Sequence, residues 1–419
     1  MIMEKKQGAK KSLFEIPENL QDLSKEELIS VIESLRKKNN SQKPAPKDKK
    51  GKPFDFQKYS KRHVALKFLY LGWDYCGFAV QDTTDKTIEA ELFKALERTK
   101  LLEHRETSNY HRCGRTDKGV SAFSQVVSLD LRSNLTEEKD VIKAGNVILD
   151  NKKETEINYV GILNRVLPHE IRVIAWAPVD QDFSARFDCY QRTYKYWFPV
   201  GELDIKKMNQ AAQKLIGEHD FRNFCKMDVA NGVTNFRRKI FDVYIRPINE
   251  SPSSPYNIME FTIVGQAFLY HQIRCIIHVL FLIGQGKEEC EIVDQLLDIE
   301  NCPRKPQYAM ASELPLVLFD CQYQDIEWKY DQDSLKYVIK QLQSIWSQNT
   351  IKSVISKRML DELETICTDV VINQNESLNP GVKPRVYKRL LDRNVCESLE
   401  ERIEHFSKKL KQDLIQPKE

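Results

Sequence analysis

The sequence predicts an α+β fold: a mixed, mostly antiparallel sheet with flanking helices in two similar halves, plus helical N- and C-terminal extensions. Two observations favour this class. Strand-like alternating segments and amphipathic helices follow one another without the strict rhythm of a parallel β–α sheet. A strand followed by a helix occurs twice, at 64–100 and 193–217, which indicates a duplicated half. With 41% hydrophobic residues among 419, the chain can bury the core that two or three domains require.

The first segment, 1–54, is predicted to hold one helix and a disordered basic linker. Ser24 and Glu27 form a capping box for a helix over 24–38. Its apolar stripe consists of Leu28, Val31, Ile32 and Leu35. The stretch 37–53 is polar and lysine-rich with three prolines, which is typical of a disordered tether. It could also serve as a nuclear address or a loose RNA contact.

The first half of the predicted folded body covers 55–200. Its elements are a strand at 63–72, a helix at 87–100, and strands at 122–132 and 192–200. In the first strand, Val64, Leu66 and Phe68 alternate with Ala65, Lys67 and Leu69, which is the period of a β-strand.

The second half covers 201–329 and is followed by a charged helical extension over 330–419. Its elements are a helix at 204–221, a strand pair at 240–248 and 256–268, and a buried helix at 269–286. Gly217 and Gly284 are the predicted C-terminal stops of the two helices.

The composition excludes several classes of protein. A net charge of +3 gives no overall basicity, so contacts with polyanions must be sought locally. The ten cysteines form no C-x-x-C pair, which predicts reduced thiols, several of them buried, and no zinc site. No apolar segment follows the N-terminal lysines, and the longest apolar run, 275–284, is too short to cross a bilayer. We expect a soluble protein with no membrane partner.

The stretch CGRTDKGVSA, residues 113–122, is similar to a phosphate-binding loop that lacks its lysine. Gly114 and Gly119 are spaced as in G-x-x-x-x-G-K-[ST], but Val120 occupies the lysine position. The residues that follow alternate like a strand, whereas such a loop opens a helix. Asp117 would also repel phosphate oxygens. These departures argue against a nucleotide hydrolase.

Asp117 itself allows two interpretations. In the first, it caps a tight turn in which Gly119 takes a positive φ. In the second, it is a chemical group that Arg112, Arg115 and Lys118 hold ionised, since positive neighbours favour the carboxylate. An ionised aspartate in a cleft can act as a nucleophile or a base, and the same cations can receive phosphates. The second interpretation suits an enzyme that acts on a polyanion.

Two further stretches carry cations suited to RNA. Residues 184–197 interleave cations with aromatic rings, which can stack on bases while the cations meet phosphates. The cations are Arg186, Arg192 and Lys195, and the rings belong to Phe187, Tyr190, Tyr194, Tyr196 and Trp197. The alternative, an aromatic-rich core strand, accounts for about half of them, because strand side chains alternate between faces. Arg237 and Arg238 form a second cluster, or else a solvated strand end.

The stretch CGRTDKGVSAFSQVVSLDL closely resembles the active-site motif of the TruA family of tRNA pseudouridine synthases. Five further segments agree in order: DYCGFAVQ (74–81), FSARF with RTYKY (183–196), MNQAAQKLIGEHDFRNF (208–224), FLYHQIRCIIHVL (268–280) and ASELPLVLFDCQY (311–323). The resemblance spans about 63–325, which implies one catalytic domain with the pseudouridine-synthase fold.

The resemblance implies roles for four residues. The aspartate of G-R-T-D maps onto Asp117, which starts cleavage of the glycosidic bond by covalent attack or by removal of a sugar proton. The motif arginine maps onto Arg115, which holds the nucleotide. The tyrosine of R-x-Y-x-Y maps onto Tyr194, which stacks on the flipped base. The arginine of F-x-x-H-x-x-R maps onto Arg274. Arg274 also interrupts an apolar helix, and a buried arginine needs an anionic partner, for which Asp117 is the candidate.

The resemblance also implies a substrate and partners. The loop, the capped N-terminal helix and the tail SLEERIEHF look like the eukaryotic branch that modifies uridines 38 and 39 of the tRNA anticodon stem-loop, without cofactor or metal. We expect tRNA contacts from Arg112, Lys118, Arg186, Arg192, Lys195, Arg237 and Arg238. The family further implies a homodimer, and we expect it in the cytoplasm and nucleus. The alternative is a catalytically silent tRNA-binding or folding protein on the same scaffold.

Overall fold

The computed structural model describes residues 54–136, 138, 140–142, 155–249, 254–367, 374–380 and 386–415. The helix predicted over 24–38 and the whole predicted linker, 37–53, therefore lie outside the described residues. Among the described residues, no helix is both long and apolar enough to span a bilayer.

One ten-stranded sheet organises the described residues. Its strands are β1 (Ser60–Tyr70), β2 (His111–Arg112), β3 (Ser121–Ser133), β4 (Val141–Ile142), β5 (Ile171–Pro178), β6 (Cys189–Pro199), β7 (Gly217–Asp220), β8 (Arg237–Pro247), β9 (Ile258–Gly265) and β10 (Leu316–Tyr323). They are ordered β4–β1–β3–β10–β6–β9–β8–β7, with β5 also on β1 and β2 beside β3. Among the described strand pairs, β3 with β10 is parallel and the others are antiparallel. The predicted α+β class with a mostly antiparallel sheet is confirmed.

Seven α-helices accompany the sheet in the described part of the chain. They are α1 (Ile88–Arg98), α2 (Tyr159–Asn164), α3 (Ile205–Gln213), α4 (Gln272–Gly284), α5 (Ile292–Leu297), α6 (Gln332–Ile366) and α7 (Leu399–Ile415). The side chain of Thr87 accepts a hydrogen bond from the Ala90 amide and so caps α1, and Asp204 caps α3 in the same way. Every residue of α4 is buried, including Gln272, Arg274 and His278, as its largely apolar sequence predicts.

The core has two large clusters, one for each half of the sheet. In the first, Leu92 and Leu96 of α1 pack with Leu66 and Phe68 of β1. In the second, Ile276 and the rest of α4 pack beneath β6, β8 and β9. A third, small cluster joins Leu69 and Ile174 to Val338 at the start of α6. Because both faces of β1 are covered, Val64, Ala65 and Leu66 are all buried, although the alternating sequence predicts a half-exposed strand.

The strand β10 joins the two halves. It is the last strand in sequence, yet it lies between β3 and β6 and pairs with both. The sheet therefore does not divide at residue 200, the predicted boundary between the halves. Strand β6 lies before this residue, and it pairs with β9 and β10, which both lie after it. The boundaries of the two halves stay a prediction.

The helix predicted over 204–221 ends earlier than expected. It stops at Gln213, and Gly217 opens β7 with a φ of 112° instead of ending a helix. Gly217 pairs with Ile240 of β8, so a contact distant in sequence redirects the chain there. The prediction of Gly217 as a helix stop is therefore wrong, because sheet pairing overrides the local helical pattern.

The C-terminal extension is only partly helical. Between α6 and α7, Leu378 and Leu390 are buried in the core of the second half. The buried carboxylate of Glu288 accepts hydrogen bonds from the Tyr387 hydroxyl, at 2.5 Å, and the Leu390 amide, at 2.7 Å. This stretch is thus part of the folded body rather than a free charged extension.

Candidate active site

A cleft of about 570 Å³ lies where the two halves of the sheet meet. Its walls come from the β2–β3 loop, from the turn between β9 and α4, and from the segment that precedes β8. Its volume is within the range of pockets that enclose a small ligand or one nucleotide.

The β2–β3 loop, 113–120, is held by the last residue of β1 and by the segment that follows it. The Gly72 amide donates to Ser121 Oγ at 2.9 Å, and the Tyr70 hydroxyl lies 2.7 Å from Thr116 Oγ1. A Cβ on Gly72 would lie 2.0 Å from the carbonyl oxygen of Val120, so only glycine allows this approach. Gly119 has a φ of 79°, which confirms its predicted positive φ. Since a strand follows, the loop lacks the helix that a phosphate-binding loop requires.

This turn presents the Asp117 carboxylate to the cleft. Its side chain is 16% exposed, and its Oδ2 lies 3.7 Å from Arg274 Nη1 and 3.5 Å from His271 Nε2. Arg274 has a closer partner in Glu313, whose Oε2 is 2.6 Å from Arg274 Nη2. Arg274 Nε also donates to the Ala311 carbonyl at 2.7 Å. The predicted contact between Asp117 and Arg274 is therefore present, but Arg274 is shared.

Burial decides the protonation of this aspartate. Burial raises the pKa of Asp117 to about 6, Arg274 acts in the opposite direction, and Glu313 adds to the rise. The groups that shift this pKa do not include Arg112, Arg115 or Lys118, which were predicted to hold the carboxylate ionised. The carboxylate is still mostly ionised at pH 7, although lost hydration outweighs the opposing effect of Arg274 on its pKa.

His271 contributes no positive charge at neutral pH. Burial, together with Arg274, Lys226 and Lys305, lowers the pKa of His271 to about 4. The imidazole is therefore neutral at pH 7, and its contact with Asp117 is a polar contact rather than an ion pair. His271 opens α4 in the left-handed region, with a φ of 63°, which is a strained conformation for this residue.

Tyr194 of β6 lies on the cleft wall and packs edge-on against Phe268, with 5.2 Å between ring centroids. A Cβ added to Gly114 would come within 3.9 Å of the Tyr194 hydroxyl, which shows how closely the loop passes the ring. Burial raises the pKa of Tyr194 well above its ordinary value, so the phenol stays protonated at physiological pH. It can stack on a base or donate a hydrogen bond.

Three of the predicted cations line the cleft with charge available to a ligand: Arg115, Arg186 and Arg238. Arg115 is exposed, and Arg186 lies 5.2 Å from the ring centre of Phe187. Arg238 donates two hydrogen bonds to backbone carbonyls, while its Nε is buried without a partner among the described residues. A buried donor of this kind suits an anionic ligand.

Two other predicted cations line the cleft but are engaged within the protein. Arg112 forms a salt bridge with Glu89, a fully buried carboxylate that also binds Arg105 and Tyr110. Arg192 is buried, and its guanidinium donates to the carbonyls of Cys113, Arg186, Cys189 and Gln266. Both arginines hold the walls of the cleft together.

The remaining predicted cations lie outside the cleft. Lys195 projects from the opposite face of β6 to Tyr194, where it binds Glu260 at 3.0 Å and covers the Phe319 ring. Arg237 pairs with Glu218 at the surface, and Lys118 is exposed on the loop. Their contacts with tRNA stay predictions that no feature of the cleft supports.

Sequence reasoning missed two residues that contact the central pair. His271 stands in the segment FLYHQIR beside Arg274, so the motif itself held a signal for it. The sequence held no signal for Glu313, because this residue is distant from Arg274 in the chain and contacts it only in the folded protein. Lys226, Phe268 and Tyr270 also line the cleft without having been predicted.

Three buried thiols lie behind the β2–β3 loop. The sulfur atoms of Cys113, Cys189 and Cys321 are within 4.8 Å of one another, although the residues are far apart in sequence. Burial raises the pKa of Cys113, but hydrogen bonds from the other two thiols and the charge of Arg192 outweigh it, so the net shift is downward. A Cys113 thiolate would give Arg192 the anionic partner that its carbonyl contacts lack. Among the described residues, these three sulfurs are close enough together to bind one metal ion. A structural zinc site usually has four protein ligands, and this group supplies three.

Comparison with known proteins gives consistent results. The family model for tRNA pseudouridine synthase matches residues 211–324. The chain is 47% identical to a human protein named tRNA pseudouridine(38/39) synthase, over 94% of this chain and 86% of the relative. It is 38% identical to the Saccharomyces cerevisiae protein of that name, over 91% and 87%. It is 32% identical to tRNA pseudouridine synthase A of Methanosphaera stadtmanae, over 64% and 86%.

Proposed function

The chain belongs to the TruA family of tRNA pseudouridine synthases, and from that premise we propose that it isomerises uridines 38 and 39 of the tRNA anticodon stem-loop. One observation carries the proposal. The Asp117 carboxylate stands in a cleft of nucleotide size beside Arg274, in a chain that aligns over 94% of its length with a relative named for these positions.

The reaction is an isomerisation. The N1–C1′ bond of uridine breaks, the uracil turns, and a C5–C1′ bond forms. The C5 proton is lost and N1 gains a proton, so atoms and electrons balance without an oxidant or a second substrate. The target base must first leave its stack, which costs a few kcal/mol that contacts in the cleft have to offset.

Asp117 has a suitable environment for the first step. It accepts a proton from the sugar or attacks C1′ as a nucleophile, and both routes require the ionised carboxylate. Arg274 limits where the carboxylate can lie. Tyr194, protonated and fixed against Phe268, offers its ring as a platform for the flipped uracil.

The rim of the cleft supports binding to RNA. Phe187 is 74% exposed and Tyr270 is 44% exposed, and both line the cleft. Large exposed rings are costly in water but stack well on bases. Arg115, Arg186 and Lys226 also line the cleft and can neutralise phosphates. This arrangement of rings and cations supports a single-stranded or looped RNA segment as the ligand.

Replacing Asp117 tests the proposal. In D117N, which keeps the shape and loses the charge, we expect the isomerisation rate to fall by about 10³-fold or more, because the amide is neither base nor nucleophile. Tritium release from tRNA carrying 5-tritiated uridine measures the rate, and filter binding measures affinity, which should persist. D333N, at an exposed aspartate of α6, is the matched control and should remain active.

The outcomes separate the two candidate functions. Wild-type protein that binds tRNA but releases no tritium would favour a silent tRNA-binding protein. Full activity of D117N would remove Asp117 from the chemistry. Mapping of pseudouridine in the product tRNA then reports whether positions 38 and 39 are the targets.

We also propose that the protein is a homodimer that pairs through α6. This helix has 35 residues, and Val338 is its one fully buried residue. Its C-terminal half carries an apolar stripe at spacings of three or four residues, all exposed in the single chain: Ile351, Ile355, Met359, Leu363 and Ile366. A second copy offers the same stripe, and two antiparallel helices related by a two-fold axis would cover both.

The proposed location is the cytoplasm and nucleus. Support comes from the reduced thiols, all ten of which are free cysteines, and from the lysine-rich stretch at 37–53. Imaging of a fluorescent fusion, with the lysines of that stretch replaced as a comparison, measures the distribution between the two compartments.

A further inference from the structure

We propose that Glu313 is a positioning residue that holds Arg274 away from Asp117 and thereby makes the Asp117 carboxylate a stronger base. The inference rests on the proposed function, because it concerns the residue that starts the isomerisation.

The distances show which carboxylate Arg274 binds. Its Nη2 is 2.6 Å from Glu313 Oε2, a short charge-assisted hydrogen bond. Its Nη1 is 3.7 Å from Asp117 Oδ2, which is within ion-pair range but too long for a hydrogen bond. A guanidinium that donated to Asp117 would stabilise the ionised carboxylate more strongly and weaken it as a base.

The pairing of Arg274 with Glu313 is held in place by contacts that each of the two side chains makes with its surroundings. The Arg274 side chain is 7% exposed, and its Nε is bound to the Ala311 carbonyl at 2.7 Å, two residues before Glu313. A Cβ on Gly119 would lie 2.7 Å from Cγ of Glu313, so the glutamate stem packs directly on the turn that presents Asp117. Movement of Arg274 toward Asp117 would therefore break or stretch its hydrogen bonds to the Ala311 carbonyl and to Glu313.

The other charged groups near Asp117 do not stabilise its ionised carboxylate in the way that a hydrogen bond from Arg274 would. His271 is neutral at pH 7, because the pKa of its imidazole is lowered to about 4. Lys226 and Asp228 line the cleft with opposite charges, and Tyr270 carries an un-ionised phenol whose pKa is raised. Arg115 and Lys118 are exposed, where solvent screens them. Burial raises the pKa of Asp117 to about 6, Arg274 opposes this rise, and Glu313 adds to it. Among the described residues, the cation that contacts Asp117 is thus bound more closely to another carboxylate.

A general base is most effective when its pKa lies near the working pH, because this balances the fraction that is ionised against the strength of the base. Asp117 is mostly ionised at pH 7, yet basic enough to take a proton from a weak carbon acid. Without Glu313, the same aspartate would be ionised at lower pH and would accept a proton less readily.

The variant E313Q tests this role because the amide oxygen can still accept from Arg274 while the charge is lost. Single-turnover tritium release is measured between pH 4.5 and 8.5. For wild type, we expect the rate to fall as pH drops through about 6, where Asp117 becomes protonated. For E313Q, we expect this acid limb to move down by about 0.5–1 pH unit. The plateau rate should fall about three- to tenfold, because a weaker base removes the proton more slowly.

E313D and E289Q are the controls. E313D retains the charge and should restore the position of the acid limb, whatever the effect of its shorter side chain on the rate. E289Q removes an exposed glutamate that pairs with Lys207 and should match wild type throughout. If E313Q does not fold, the acid limb of E313D still tests the proposal, since a retained charge requires the wild-type position.

An acid limb of E313Q that coincides with that of wild type would overturn the inference, even if the rate were lower, because that pattern indicates a purely structural role. The same data leave the proposed function intact, provided that wild type releases tritium and D117N does not. Failure of wild type to release tritium at any pH would instead reject the proposed function.

Discussion

Arg192 and Arg237 illustrate how differently two arginines from predicted RNA-binding clusters can be used. Arg192 is buried and donates four hydrogen bonds to backbone carbonyls, which tie the β2–β3 loop to β6 and to the end of β9. Arg237 has a 59% exposed side chain and pairs with an equally exposed glutamate. The composition of the two stretches is similar, so only the fold distinguishes the structural arginine from the surface one.

We therefore expect R192Q to lower the free energy of unfolding by about 3 kcal/mol, since several buried carbonyls lose their donor. R237Q should change it by less than about 0.5 kcal/mol, as exposed ion pairs contribute little. Urea unfolding followed by circular dichroism measures both. Equal stabilities of the two variants would contradict the assigned role of Arg192.

The chemistry of Asp117 could be predicted in part. The motif identified the residue, but its cationic neighbours in sequence are not the groups that set its pKa. Burial and the contact between Arg274 and Glu313 arise only when the cleft is assembled. The same is true of the three thiols, whose sequence separation gave no sign of a cluster.

At the scale of elements, the hydrophobic pattern predicted a helix or strand correctly where the whole element lies in one kind of surroundings, such as the core. The apolar run at 269–286 was recognised as a buried helix because every face of α4 meets the core. The helix predicted over 204–221 is too long, because residues 217–220 form the strand β7, which pairs with β8. Short strands such as β2, β4 and β7 depend on a partner strand and leave little local pattern.

The junction between β1 and the loop gives a prediction at this scale. G72A would place a methyl group 2.0 Å from the Val120 carbonyl oxygen, so the loop that carries Asp117 must shift. We expect a fall in kcat of about 10- to 100-fold, because small displacements of reacting groups are costly. Tritium release measures it.

G286A is the matched control for that substitution. Gly286 has a positive φ of 66°, but among the described residues no atom lies within 4 Å of an added Cβ, whereas at Gly72 the restriction is the close carbonyl. Its replacement costs about 1–2 kcal/mol of stability through backbone strain and should leave kcat unchanged. An equal loss of activity in both variants would mean that Gly72 acts only through global stability.

At the scale of the molecule, the exposed stripe of α6 gives a test of assembly. We expect wild-type protein at micromolar concentration to have the mass of two chains by light scattering. The double variant I355E/L363E should have the mass of one, because carboxylates cannot be buried between the helices. K336E, which adds an acid elsewhere on the same helix, is the control and should remain dimeric. A single-chain mass for wild type would reject pairing through α6.

The position of β10 has a consequence for how the protein is made. The ribosome releases Asp117 and Tyr194 long before it reaches residues 316–323, yet the start of β3 and one edge of β6 lack their partner strand until β10 emerges. Ala311 and Glu313, which fix Arg274, also appear only at that point. A nascent chain that has passed β6 but not reached β10 therefore exposes unpaired strand edges that invite aggregation, which makes this interval the vulnerable stage of synthesis. Catalytic competence is then among the last properties that the nascent polypeptide acquires.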